Sequence, residues 1–213
     1  MVSGSGEQPR KRQARGRDRI NQILLAAAEV FDEVGYESTT TNAIAARAAI
    51  SPGSLYQFFS DKDDIAHALA QRYSDELSTV GSGLQDPPPG AGLETVARSA
   101  VRSIIAFNLA HPGFKALFAR ADMPPSLRDA VAPVNERLHE TVRTVLGDLL
   151  PTLSAERLDV TTVVILHTVR ALIPPIVAAA EPLRSTLAGE LERTVVAYVT
   201  SVAASVDAEN SAR

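Results

Sequence analysis

The sequence predicts an all-α fold, with a three-helix helix-turn-helix unit at the N-terminus joined to a larger C-terminal helical bundle. Two observations predict it. Apolar residues recur at spacings of three and four through most of the chain, the period of a helix with one buried face. No stretch shows sustained apolar–polar alternation bounded by hairpin turns, which a sheet would need.

Residues 1–16 are polar, glycine-containing and basic, and are expected to form a flexible arm. Periodic helix starts near Arg17. Ile20, Ile23, Leu24, Ala27, Val30 and Phe31 form its apolar face, and Gly35 ends it where a left-handed cap is common. A shorter helix follows from Thr41 to Ala48, with Thr40 as N-cap and Ile44, Ala45 and Ala48 inward. Ser51 caps a third helix, and Pro52 takes its first position, where the missing N–H costs nothing. Leu55, Phe58 and Phe59 are expected to anchor it. Ser60 and Asp61 open a fourth helix that runs to about Val80, with Ile65, Leu69 and Tyr73 facing the core. The helix-turn-helix unit is therefore expected at 17–65 and a connecting helix at 66–80.

The glycines and three consecutive prolines of "GSGLQDPPPGAG" (81–92) cannot continue a helix and mark a loop. Helical spans are expected beyond it at 93–110, 113–120, 126–150, 154–180 and 182–206, before a flexible tail at 207–213. Pro174 and Pro175 are expected to kink or break the span that contains them. In the last span, Leu183, Leu187, Leu191 and Val195 head a long apolar stripe. Such a stripe either buries an ordinary core or forms a symmetric four-helix contact between subunits; a homodimer is expected.

Composition narrows the function. Across 213 residues, 45% apolar and 22% charged is an ordinary globular balance. The absence of cysteine excludes a disulfide framework, a thiolate metal site and a cysteine nucleophile. The four histidines form no close-spaced HxxxH pair, so no metal is expected. There is no glycine-rich phosphate loop after a strand and no GxSxG, and no enzyme activity or cofactor is expected. No uninterrupted apolar run of about 18 residues appears, and the N-terminal charges precede no apolar leader core; a cytoplasmic protein without a membrane span is expected.

The net charge is -4, but it is unevenly spread. Residues 10–19, "RKRQARGRDR", hold six Arg or Lys against one acid. A basic arm on an acidic body suits a protein that touches phosphate at one end, with Arg10, Lys11 and Arg12 as candidates. A solubilising tail has the same composition.

A short helix, a tight turn and a second short helix describe a helix-turn-helix, whose second helix would enter the major groove of a DNA duplex N-terminus first. Ser51 and Ser54 offer small hydroxyls to phosphate or base edges. Gly53 lets backbone approach closely. Tyr56 and Gln57 lie opposite Leu55 and can meet backbone and a base edge. Lys62, at the start of the next helix, gains nothing from the helix dipole, so it reads as a phosphate contact or a solvated lysine. Each of these residues also fits an ordinary helical corner.

Residues 19–65, with "ILLAAAEVFDEVGYESTT", "IAARAAIS", "GSLYQFF" and "DKDDI" in order, resemble the N-terminal domain of the TetR family of transcriptional regulators. The resemblance implies that Tyr56 and Lys62 contact phosphates, that Gly53, Ser54 and Gln57 face bases or adjoining backbone, and that Thr40 and Thr41 lie near phosphate. It also implies a homodimer on a palindromic operator, repression, and release by a small molecule in the C-terminal bundle. Two positions depart from the family pattern. Ala49 stands where glycine is usual in the turn, and its local dihedral is expected to be one that alanine tolerates. Pro52 stands where lysine is common, and the basic arm is a candidate for the missing charge.

The effector side is read from "RSIIAFNLAHPGFKALFARADM" (102–123). Phe107, Asn108, His111, Phe114, Phe118 and Met123 are candidate effector contacts, with His167 and Arg170 in the turns before Pro174. Few polar groups among many apolar ones favour a hydrophobic or aromatic compound with one polar handle. A regulator with no small-molecule effector, controlled by a protein partner or by expression level, remains the alternative.

Overall fold

The structure, a computed structural model, describes the backbone of residues 7–85, 90–111, 113, 114, 117 and 125–211. Within these it describes the side chains of 13–79, 81, 90–111, 113, 114, 117, 128, 129 and 131–205. Among the described residues all regular structure is helical. In chain order the helices are α1 (Glu7–Ser38), α2 (Thr41–Arg47), α3 (Pro52–Leu55), α4 (Lys62–Gln85), α5 (Leu93–Ala110), α6 (Pro125–Leu149), α7 (Ala155–Ala178) and α8 (Leu183–Ser211).

α1 begins ten residues before the expected start at Arg17. Residues 7–16 consist mostly of Arg, Lys, Gln, Glu and Ala, all good helix formers. A helix already nucleated on its apolar face extends through them at one hydrogen bond per residue, so the expected flexible arm is helical from Glu7. The other end behaves as expected: Gly35, with φ 77° and ψ 161°, interrupts the helical path.

Thr40 and Ser51 cap as expected, accepting hydrogen bonds from the Ala43 and Ser54 N–H groups at 3.1 Å each. Between their helices Ala49 holds φ 51°, a left-handed conformation, which corrects the expectation of an unstrained dihedral there. α3 is a single turn. Leu55 and Phe59 are buried, but Phe58 is 37% exposed and does not anchor the helix. Regular helix ends at Leu55, and the turns that follow aim Phe58 outward.

Asp61 accepts the Asp64 N–H at 2.8 Å while the Asp64 carboxylate accepts the Ser60 N–H at 3.0 Å, a reciprocal cap that starts α4. α4 runs past the expected stop at Val80 to Gln85. Gly81 stays inside it for a packing reason. A Cβ there would lie 2.8 Å from Thr141 Cγ2, so glycine permits the close approach of α4 to α6. Of the expected span 113–120, only 113, 114 and 117 are described, and all three are helical. α7 continues one turn past Pro174 and Pro175 without breaking, and the Ala179 N–H closes it on the Pro175 carbonyl at 3.1 Å. The carbonyls of Arg170 and Ala171, whose helical donors the two prolines remove, belong to exposed residues that water can reach. α8 extends through the expected tail to Ser211.

The first apolar core does not stop at the helix-turn-helix unit. It runs from Ile23, Phe31, Ile44 and Leu55 through Leu69 and Tyr73 to Phe107, Phe114 and Val134. The second lies between α5, α6, α7 and α8, around Val101, Leu146, Ile165, Ile176 and Leu191. Ile104 packs against both. Leu191 and Val195 are buried in this second core, and Leu187 packs beside it. Leu191 and Val195 thus face the protomer's own bundle, while of the four expected interface residues Leu187 is half-buried and Leu183 exposed. Glu192 joins the core's edge, accepting from Arg102 at 2.9 Å and Arg98 at 3.4 Å and tying α5 to α8.

One described helix, α7, is long and apolar enough to cross a membrane by length and composition, with mean hydropathy 1.7 in its most apolar window. The sequence reading missed it because single polar residues interrupt the apolar run. In the structure α7 packs on α5, α6 and α8, yet only 28% of that window is buried.

Candidate nucleic-acid interface and ligand cavity

The turn between α2 and α3 is braced from α1. Gln22 donates to the Ala48 carbonyl at 2.6 Å, capping the end of α2. Arg47 reaches Glu29 at 2.9 Å and Glu33 at 2.5 Å, one helical turn apart on α1. The Arg47 hydrogen bonds hold the Glu33 carboxyl below its ordinary range and raise the Arg47 guanidinium.

On this brace α3 presents an uncharged, hydrogen-bonding face. Ser51 and Gly53 are exposed, and Ser54 is half-buried with its hydroxyl 2.9 Å from that of Ser51. A Cβ on Gly53 would meet nothing closer than the Ser51 hydroxyl at 4.0 Å, so the fold itself does not require glycine there. Tyr56 is 53% exposed, and its phenol lies 3.0 Å from the Thr41 hydroxyl, while Thr40 and Gln57 are exposed beside it. These seven expected residues share one surface.

Lys62 does not join them. Its ammonium donates to the carbonyls of Tyr36 and Glu37, at 3.1 Å each, and sits 4.6 Å above the Tyr36 ring. Carbonyls left open at the end of α1 attract a cation, and Lys62 is the nearest donor. Positive charge is found instead in the first turns of α1, where Arg15 and Arg17 are exposed. The side chains of Arg10, Lys11 and Arg12 lie outside the described residues, although their backbone is helical. Because Gln22 already touches the α2–α3 corner, the basic turns extend outward from that corner.

At the other end of α4 lies a cavity of about 130 Å³ between α4, α5, α6 and α7, lined almost wholly by apolar side chains such as Val96, Val101, Leu138 and Ile165. Its polar rim is Ser74, Ser78, Arg137 and Thr141. A second cavity of about 80 Å³ adjoins it and takes in Asn108, Phe114, Asn135 and Arg170. Asn108, Phe114 and Arg170 thus line a cavity. Phe107 instead packs in the core against Tyr73 and Phe114. His111 lies against the Phe107 ring and pairs with Glu76 at 3.0 Å, fastening α5 to α4, and lines neither cavity. Burial among these rings pushes the Tyr73 phenol up. His167 is exposed on α7. Phe118 and Met123 lie outside the described residues. No group of three or more His, Asp or Glu capable of holding a metal occurs among the described residues.

Comparison with known proteins decides the lineage. The family model described as "Bacterial regulatory proteins, tetR family" matches residues 23–69, and "Tetracyclin repressor-like, C-terminal domain" matches residues 92–198. The chain belongs to the TetR family. That family is one of bacterial regulatory proteins. The chain is 33% identical over 132 residues to the HTH-type transcriptional regulator HbdR of Aromatoleum sp. (strain CIB), a match covering 59% of this chain and 57% of HbdR. It is 43% identical over 60 residues to the HTH-type transcriptional activator FasR of Mycolicibacterium smegmatis, covering 28% of this chain and 27% of FasR. The chain therefore spans less than two thirds of either curated relative. The crystal structure of a TetR-family transcriptional regulator from Streptomyces coelicolor is 28% identical, with a TM-score of 0.59, covering 86% of this chain and 99% of that one.

Within this TetR-family fold, sequence reasoning missed Gln22 and Arg47, which brace the turn between α2 and α3. The pair Glu29 and Glu33, four residues apart on one side of α1, was the available signal for a cation from another helix. It also missed the cavity rim formed by Ser78, Arg137 and Thr141. Those residues meet only because Gly81 lets α4 and α6 close together.

Proposed function

We propose that this chain is a ligand-responsive repressor that binds a palindromic operator as a homodimer in the cytoplasm and leaves it when a small, largely apolar effector enters the cavity beside α4. The carrying observation is that α4 connects the seat of the helix-turn-helix unit to the cavity. Its first residue, Lys62, is bonded to the end of α1, and Ser74, Ser78 and Gly81 farther along it line the cavity. Sixteen residues of helix separate Lys62 from Ser78, about 24 Å. A ligand that changes the packing of α4 against α6 therefore acts on the seat of the helix-turn-helix unit. The close contact of Gly113 with Ala28, where a Cβ would come within 2.6 Å of the Ala28 Cβ, adds a second link between bundle and α1.

The homodimer reading rests on the outer face of α7. Val160, Val163 and Val164 are 51%, 44% and 38% exposed at helical spacing, too apolar a stripe to be left in water without reason. A second copy presenting the same stripe, with the start of α8, makes a two-fold contact. Two-fold symmetry then asks for an inverted repeat in the DNA, with half-sites one helical turn or a multiple apart. In this reading Thr41 and Tyr56 bind phosphate, Gly53, Ser54 and Gln57 face base edges, and the basic start of α1 supplies the charge that Pro52 and Lys62 do not.

Selection of duplexes from a random pool by the full chain tests the reading. An inverted repeat bound by two chains is expected, with a salt slope that falls when residues 1–16 are removed. A pool that shows no enrichment at low salt would refute DNA binding by this face.

A further inference from the structure

Some described arginines of the bundle pair with carboxylates, and others, Arg137, Arg157, Arg170 and Arg184, donate to neutral oxygens. Arg98 and Arg102 share Glu192, and Arg143 pairs with Asp159 at 2.6 Å. Arg137 and Arg170, which border the cavities, have no carboxylate partner among the described residues. Arg137 donates to the Ser78 hydroxyl at 2.9 Å, and Arg170 to the Asn135 amide oxygen at 2.6 Å. Each cavity is therefore lined by a guanidinium that, among the described residues, donates to a neutral oxygen. The two cavities share Ile104, Val134, Leu138, Leu166 and Val169 as their common wall, so one layer of flexible apolar side chains separates them.

An engineered cavity of roughly 150 Å³ lined by apolar side chains stays dry and holds one benzene ring. The larger chamber here, at about 130 Å³, fits a similar apolar volume, and the adjoining chamber lets a slender ligand extend past the shared wall. Arg137 is exposed, so it stands at the mouth of the chamber and keeps its charge hydrated in the empty protein. An anion at the mouth would take two parallel hydrogen bonds from the guanidinium, with the Ser78 and Thr141 hydroxyls beside it.

Resting on the reading of this cavity as the effector site, we infer that the effector is a slender amphiphile, an apolar chain ending in an anionic group that Arg137 binds at the cavity mouth. Arg137 rather than Arg170 takes the anion because it borders the larger and more apolar chamber and has two hydroxyls for company. A carboxylate and a phosphate monoester share this chemistry.

The test is isothermal titration of the full chain with decanoate, decyl phosphate and decan-1-ol. At least one of the two anionic probes is expected to bind about tenfold or more tightly than the alcohol, the scale of a charge-assisted hydrogen bond at an exposed site. Arg137→Met is expected to remove that preference and Arg137→Lys to retain most of it, with unfolding curves confirming that both variants fold. Arg170→Met is expected to leave the preference in place. The tighter anionic probe identifies the source, and either one supports the inference if Arg137→Met abolishes its advantage. Equal binding of acid and alcohol, or a preference that survives Arg137→Met or vanishes with Arg170→Met, overturns the anion assignment while leaving the cavity as the effector site. Binding of none of the three overturns the effector-site reading itself.

Discussion

The Tyr56 phenol and the Thr41 hydroxyl stand 3.0 Å apart at the surface, one just after α3 and the other in the first turn of α2. Neither group is needed to bury anything. The two hydroxyls are hydrogen-bonded to each other, and in the proposed reading both turn to a phosphate oxygen. Tyr56→Phe is expected to weaken operator binding by about 10- to 100-fold for each half-site, since a hydrogen bond to a charged group contributes about 1.5–3 kcal/mol. Urea unfolding is expected to shift by no more than about 0.5 kcal/mol, because the side chain is exposed. Thr41→Val in the Tyr56→Phe background should add less than it does alone, which a double-mutant cycle on fluorescence anisotropy measures.

Lys62 separates two accounts of the same residue. Its ammonium closes the end of α1, so Lys62→Met is expected to cost about 1–2 kcal/mol of stability through two carbonyls left without their charged donor. The salt slope of DNA binding should stay as it is. A phosphate-binding lysine would instead reduce that slope by roughly two per dimer, at about 0.9 per contact.

Ala49 carries a conformational cost in the turn between α2 and α3, where it holds φ 51°. A left-handed L-residue costs about 1–2 kcal/mol, part of which glycine returns through its more disordered unfolded chain. Ala49→Gly is therefore expected to stabilise the protein by about 0.5–1 kcal/mol in denaturant unfolding. A neutral or destabilising result would mean that the turn is not under strain.

The sequence was most legible where structure is local. Thr40 and Ser51 read as caps because the acceptor sits three residues from its donor, and Gly35 read as a stop because the backbone itself decides it. Leu55 and Ile65 read as core from their spacing. Tertiary approach was not legible. Lys62 turned inward because the end of α1 comes to lie beside it, and nothing in its own neighbourhood announces that. Leu191 and Val195 have the spacing of an interface and of a core alike, and only the position of α5 decides between them. Phe58 had the right residue type but lay past the last helical turn. The first cavity draws Ser78 and Arg137 from residues far apart in sequence, so the effector reading, built on the stretch around Phe107 and His111 with His167 and Arg170 before the prolines, includes Asn108, Phe114 and Arg170 of the second cavity and none of the first.

Glu192 links α5 to α8 and gives the bundle a pH dependence. Hydrogen bonding by Arg102, with Arg98 behind it, holds its carboxyl below the ordinary value of 4.5. A depressed carboxyl contributes stability that is complete above its unfolded value and is lost as pH falls through the folded one. Glu192→Gln is expected to cost about 1–3 kcal/mol near neutral pH, and the gap to wild type should shrink once the pH drops below about 4.5. Urea unfolding of both proteins across that range measures it. A constant gap would place the contribution in packing and not in charge.

The central claim is that the face around Gly53 enters the DNA groove, and Gly53→Glu tests it most directly. Gly53 is exposed in the first turn of α3 with open space where a side chain would grow. A carboxylate there favours the helix start and suits the fold, yet it would face phosphates and base edges. Binding of the selected duplex should fall by about 100-fold or more, on the scale of several kcal/mol for like charges brought together, while the unfolding midpoint stays level or rises. Wild-type affinity in a fully folded Gly53→Glu protein would contradict the account.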